Sequence, residues 1–208
     1  MYKCRGGGYS EDPSKCPGGV EASLPGELRV KLSKLVSGIL RHFPESYGVK
    51  VDGKGWTSID ELVSALRKLP GYRWVERWHI EALAALDPKG RFEVSGGKIR
   101  ARYGHTIKVE VEPLPGEPPR LLYHGTVSSN LSSIKAKGIL PMRRLKVHLS
   151  PTPQIAVEVG RRHGGDVVVL EVDVECLKEK GLKPVMASKV VYVVDWVPPD
   201  CIRRIIRP

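Results

Sequence analysis

Side-chain amides are almost missing from this chain: it has one asparagine and one glutamine, Asn130 and Gln154, in 208 residues. Depletion of these thermolabile residues is a statistical mark of thermophile proteins. No run of about 18 apolar residues occurs, so no ordinary membrane-spanning helix is expected. The opening MYKCRGGGYSEDPSK lacks the apolar core of a secretion signal. The expected location is the cytoplasm. None of the four cysteines stands in a C-x-x-C pair, so the usual zinc signature is missing and no metal is expected. Cys4 and Cys16 flank a Gly- and Pro-rich segment. A disulfide and a pair of free thiols in a loose tail are both open there, and the disulfide is favoured. Cys176 and Cys201 are expected as core fillers.

Lys and Arg number 34 against 23 Asp and Glu, a formal charge of +11. Such a surplus suits a polyanionic partner, because cations on phosphates release condensed counterions and speed encounter. Charge alone is equally compatible with a merely soluble basic protein. A hydrophobic content of 41% supports a packed core, and the length allows one large or two small domains.

Residues 1–26 carry no periodic apolar face and read as an irregular arm. Leu28, Leu32, Leu35, Val36, Ile39, Leu40 and Phe43 recur at helical spacing, and Pro44 ends that helix. Arg41 and His42 fall in its last turn, where cations meet the negative end of the macrodipole for about 0.3–1 kcal/mol. Ser58 and Glu61 have capping-box spacing and open a helix to about Lys68. A third helix is expected from Trp74 to Leu86. Arg91–Val94 and Ile99–Arg102 around Ser95-Gly96-Gly97-Lys98 read as a hairpin. Three helices and a hairpin are the order of a winged-helix domain, whose basic wing residues commonly touch phosphates. Arg100 is the candidate there, with a plainly solvated wing residue as the alternative.

Residues 107–119 alternate and then turn Pro-rich, and 113–119 read as a linker. The expected domains are therefore 27–112 and 120–208, in an α+β fold of two lobes. The second lobe opens with Leu121-Leu122-Tyr123, a short buried strand running into His124-Gly125-Thr126, where the glycine permits close backbone approach to a ligand. A short helix through Leu131 and Ile134 follows and stops at Gly138. Arg143 and Arg144 precede a strand, Val147-His148-Leu149-Ser150. Further strands are expected at Val167–Val172, Val190–Val194 and Ile202–Ile206.

A strand ending in His-Gly-Thr, a helix, and a strand carrying His and Ser resemble the NAD-binding core of ADP-ribosyltransferase folds. The fuller pattern is more specific. Leu32-Ser33-Lys34-Leu35 through Leu40-Arg41-His42, then Ile99-Arg100-Ala101-x-x-Gly104-His105-Thr106, then Tyr123-His124-Gly125-Thr126 with Gly138–Met142 and Arg144-x-x-Val147-His148-Leu149-Ser150, resembles the RNA 2′-phosphotransferase family. Those are NAD-dependent enzymes that remove an internal 2′-phosphate from spliced tRNA. The resemblance covers roughly residues 28–208. It implies NAD as co-substrate, an RNA bearing an internal 2′-phosphate as partner, and a winged-helix-like domain beside an ADP-ribosyltransferase-like one. It also implies Arg41, His42, Arg100 and Arg144 as the catalytic set. His124, Gly125 and Thr126 would hold the adenosine and ribose, with His148 and Ser150 on the nicotinamide side. A buried strand histidine with a satisfied hydrogen bond is the alternative for His148. A monomer is expected.

This chain departs from the family pattern at three places. Thr106 stands where Ser is usual, which preserves a hydroxyl. Lys146 stands where His is frequent. Ser188-Lys189-Val190 replaces a Ser-x-Asn-Gly segment, so no ligand contact is carried over there. The alternative function is an ADP-ribosyltransferase that modifies nucleic-acid phosphates or protein. A phosphate nucleophile is already anionic and needs no general base, and no acid stands beside Ser188, Lys189 or Val190, although Asp195 is close in sequence.

Overall fold

The structure, a computed structural model, describes residues 1–208. It is a mixed α+β protein that divides into two compact units, Met1–Val111 and Glu112–Pro208. No helix is long and apolar enough to cross a membrane.

The first unit opens with a small antiparallel sheet in which β1 (Tyr2–Cys4) lies between β2 (Tyr9–Ser10) and β3 (Val20–Ser23). Residues 1–26 are thus not the irregular arm expected from their glycines. Gly7, Gly8, Gly18 and Gly19 take φ between +70° and +89° and make left-handed corners between short strands. Met1 and Leu24 are buried in the same core as the helices that follow. A disulfide joins Cys4 to Cys16, and the Tyr9 hydroxyl donates to Glu81 at 2.7 Å.

α1 (Gly26–Arg41) is amphipathic as the spacing predicts and buries Leu32, Val36, Ile39 and Leu40. It stops two residues short of Phe43, because Pro44 drives the residue before it out of the helical region. The Phe43 ring turns back over Gly38, where an added Cβ would lie 3.0 Å from it. β4 (Thr57–Ser58) leads into α2 (Ile59–Arg67), whose first amides donate to Ser58 Oγ. Glu61 does not complete the expected capping box and accepts instead from the Lys50 amide at 3.1 Å. α3 (Arg77–Ala85) starts three residues later than expected, behind a capping box of Glu76 and His79. β5 (Phe92–Ser95) and β6 (Lys98–Ala101) form the expected hairpin, and β4 adds to it in the order β4-β6-β5.

The second unit runs β7 (Leu121–Val127), α4 (Leu131–Lys137), β8 (Val147–Leu149), α5 (Pro153–Gly160), β9 (Val167–Asp173), α6 (Val174–Glu179), β10 (Val185–Ser188), β11 (Val191–Val194) and β12 (Ile202–Ile206). Two antiparallel three-stranded sheets result, β12-β9-β7 and β10-β11-β8. Tyr123 and Ser150 tie them together by mutual backbone hydrogen bonds of 2.9 and 2.7 Å. Leu114, from the Pro-rich stretch, donates its amide to Met186 at 2.7 Å, so that stretch is partly absorbed into this unit.

Two expectations need correction here. Cys176 and Cys201 are not free core fillers but a disulfide. Their 25-residue separation gave no hint that α6 and the turn before β12 bring the two Cα atoms to 5.5 Å, within bridging range. His124-Gly125-Thr126 does not follow a strand but lies inside β7, paired along its whole length with β9. Gly125 is needed there because α5 crosses directly above it. A Cβ at Gly125 would sit 1.7 Å from the Ala156 carbonyl oxygen. The glycine therefore admits a helix backbone.

Candidate active site

In the first unit the sequence motifs around Arg41 and Arg100 fold onto one another at the end of α1. The Arg41 carbonyl, which the helix leaves without an internal donor, accepts from the Thr106 amide at 3.0 Å. The Thr106 hydroxyl donates to the same carbonyl at 3.4 Å and lies 3.1 Å from His42 Nδ1. With that hydroxyl proton so placed, His42 Nδ1–H donates to Thr106, and the basic position of the neutral ring is Nε2. The Arg41 guanidinium lies over Tyr103, 4.9 Å from the ring centroid. Gly104 turns beside it at φ +87°, where an added Cβ would be in ordinary van der Waals contact with the guanidinium at 3.5 Å. The left-handed backbone is what calls for glycine.

Arg100 is 4% exposed, so the solvated-wing alternative fails. Its Nε donates to Glu93 Oε2 at 2.8 Å and its Nη1 to the Lys54 carbonyl at 3.3 Å. Trp56 covers one face at 4.4 Å. Arg102, also buried, donates to the same Glu93 oxygen. Burial raises the Glu93 pKa, but the hydrogen bonds from Arg100 and Arg102 outweigh it, and the net shift is downward.

His105 was not singled out from the sequence, although it sits inside a quoted motif. It is 5% exposed, and its Nε2 has no hydrogen-bond partner. Burial, then the charges of Arg41, His42 and Arg100, push its pKa from 6.5 down to about 4. Two permanent cations, Arg41 and Arg100, and the His42 ring thus act on one neutral imidazole. Because folding depresses this pKa, the unfolded chain takes the proton first. The stability that neutral His105 represents is whole above about pH 6.5 and is lost as pH falls toward 4, on the order of 3 kcal/mol. Thermal unfolding between pH 7 and pH 4 should therefore be steeper in pH for the wild type than for His105→Gln, whose side chain stays neutral. Parallel curves would refute this.

In the second unit β7 and β8 diverge beyond the Tyr123–Ser150 pair, and a cavity of about 480 Å³ opens between them, α4 and residues 138–146. His124, Gly125, Thr126, Arg144 and His148 all line it. Ser150 does not. It is buried, and its backbone serves the bridge to Tyr123. His124 Nδ1 faces the His148 carbonyl at 3.0 Å and donates to it. Burial, with smaller contributions from the charges of His163 and Arg144, holds the His124 pKa below its usual value despite that bond. His124 is therefore a neutral ring whose accepting nitrogen is Nε2. The lone asparagine, Asn130, donates to Thr126 Oγ1 at 3.0 Å.

Arg144 lies on an exposed loop, with Nη1 2.6 Å from His148 Nδ1. An arginine can only donate, so His148 Nδ1 accepts and the ring is neutral. The strand histidine thus has a satisfied hydrogen bond and also lines the cavity. Lys146, the unusual residue of this segment, pairs with Asp195. That pairing engages the nearby carboxylate that could have served as a base. Ser188 is 1% exposed and accepts from the Val190 amide at 3.3 Å, closing the shortened turn on itself.

Residues 27–195 match the family described as "RNA 2'-phosphotransferase, Tpt1 / KptA family". A protein of Aeropyrum pernix named "Probable RNA 2'-phosphotransferase" is 54% identical over 204 residues, covering 98% of this chain and 92% of its own. One of the same name from Hyperthermus butylicus is 46% identical over 212 residues, covering 97% and 91%. Another from Pyrococcus horikoshii is 48% identical over 179 residues, covering 86% of this chain and all of its own. The family match takes in both units, with the cationic cluster of one and the cavity of the other, and the chain belongs to the RNA 2′-phosphotransferase, Tpt1 / KptA family.

Proposed function

We propose that this enzyme removes an internal 2′-phosphate from RNA, of the kind left by tRNA splicing, and transfers it to NAD. The products are 2′-hydroxyl RNA, nicotinamide and ADP-ribose 1″,2″-cyclic phosphate, formed through an ADP-ribosylated phosphate and a transesterification. On this reading the first unit is a winged-helix-like RNA-binding domain and the second an ADP-ribosyltransferase-like NAD-binding domain. The protein works as a cytoplasmic monomer. The observation that carries the reading is one cavity that holds both Arg144 and the His124-Gly125-Thr126 strand segment. An anion-gripping side chain and a recess with room for a nucleoside stand together.

The residues present fit NAD. His124 offers a ring acceptor, Thr126 and Asn130 offer a polar pair, and the recess is large enough for one nucleoside half. Bound NAD supplies an anomeric carbon with a good leaving group. The 2′-phosphate is already an anion and attacks that carbon without a general base. In the second step a ribose hydroxyl attacks phosphorus and the RNA 2′-oxygen departs. Charge then builds on non-bridging phosphate oxygens, which permanently charged, planar guanidiniums stabilise. Arg41 and Arg100 of the first unit and Arg144 of the second are the guanidiniums to which that role is assigned. His42, through Nε2, moves the proton from the attacking hydroxyl to the departing one.

The test is incubation of RNA carrying an internal 2′-phosphate with and without NAD. Loss of the 2′-phosphate only with NAD, together with nicotinamide and the cyclic phosphate, is the expected result. A stable ADP-ribosylated product with no onward transfer would favour an ADP-ribosyltransferase of nucleic-acid phosphates or protein. Phosphate removal without NAD would refute the proposal.

A further inference from the structure

The first unit holds one anion, Glu93, against two buried cations of adjoining positions, Arg100 and Arg102. Glu93 faces Arg100 directly across the β5–β6 hairpin, in register. A single oxygen, Oε2, takes both hydrogen bonds. An arginine has five donors on a long stem, and its direction is set by what holds each edge. For Arg100 the Nε edge is held by Glu93, Nη1 by the Lys54 carbonyl, and one face by Trp56. The carbonyl bond is the longest of these, and the ring contact restricts tilt but not rotation in the plane of the ring. Glu93, in register across the hairpin and bonded to Nε at 2.8 Å, is a contact that holds the in-plane direction.

We infer that Glu93 is a positioning residue, which aims the Arg100 guanidinium at the transferred phosphate through their cross-strand hydrogen bond. The inference rests on the reading of Arg100 as a phosphate-gripping residue. Arg102 donates to the same oxygen of the Glu93 carboxylate. The carboxylate stays ionised in the neutral range, since Arg100 and Arg102, the charged groups it faces, hold its pKa low.

The side chain that orients a reacting group affects the rate of the chemical step more than the strength of binding, and a displacement of about 1 Å costs on the order of 100-fold. Glu93→Ala should therefore lower kcat for 2′-phosphate removal by roughly 30- to 100-fold and change KM by less than about threefold. Glu93→Gln keeps a carbonyl oxygen where Oε2 stands and should recover activity to within about tenfold of wild type. A second comparison separates this inference from the reading beneath it. In an Arg100→Lys background, Glu93→Ala should cost less than about threefold, because the two act as a unit. If Arg100→Ala leaves turnover intact, the role of Arg100 is wrong. If Arg100→Ala abolishes turnover while Glu93→Ala lowers only the melting temperature, or if the two losses multiply independently, Glu93 is structural and the inference fails.

Discussion

Gly125→Ala should largely unfold the second unit. The added methyl would sit 1.7 Å from the Ala156 carbonyl oxygen, 2.6 Å from its carbon and 2.9 Å from the Gly160 nitrogen. All three are backbone atoms of α5 or its end, so no side-chain rotation relieves the clash. Overpacking a core usually costs 1–3 kcal/mol when side chains can shift. A helix that must lift off β7 loses its whole contact with that strand, and a cost above roughly 4 kcal/mol is expected. In a unit of this size, that is a fall of about 10 °C or more in the unfolding midpoint. Calorimetry checks this, and an unchanged midpoint would show that α5 does not lie on β7 as described. Phosphate removal should be lost with the fold, because His124 and Thr126 flank the altered position on the same strand.

Arg144→Ala should act in the opposite manner, with a large loss of turnover and little loss of stability. Arg144 is exposed, on a loop, and its guanidinium meets the His148 ring of the neighbouring strand. Its removal should leave the unfolding midpoint within a few degrees of wild type. On the proposed mechanism it grips the phosphate as charge builds on the oxygens. Losing one such donor costs on the order of 10²–10³ in rate, about 3–4 kcal/mol. Arg144→Lys should recover only part, because an ammonium cannot match a planar fork on two phosphate oxygens. Single-turnover measurement of 2′-phosphate loss is the check, and a variant as fast as wild type would remove Arg144 from the site.

The two glycines Gly104 and Gly125 show the difference between motif and reason. Both stand in motifs visible in the sequence, and for Gly125 the expectation is close backbone approach to a ligand. The structure gives Gly104 a left-handed turn beside Arg41 and Gly125 a flat strand pressed by a helix. Periodicity found α1 and α2 because each buries a stripe repeated over several turns. It missed β1 to β3 because strands of two to four residues are too short to show a period, and their glycine corners look like disorder. Cys176 and Cys201 were misread for a related reason, since nothing local marks two residues that meet only through the packing of α6.

The order of residues alone determined which side chains carry charge or a titratable ring, where amphipathic helices form, and the motifs that mark the family. These are local properties, set by neighbours within a few positions. Only the tertiary structure decided that His105 is neutral beside two arginines, that Glu93 holds Arg100, and that Ser150 serves the backbone rather than the cavity. Each of those depends on burial and on groups brought together from distant positions. Desolvation and hydrogen-bond geometry exist only once the chain has packed.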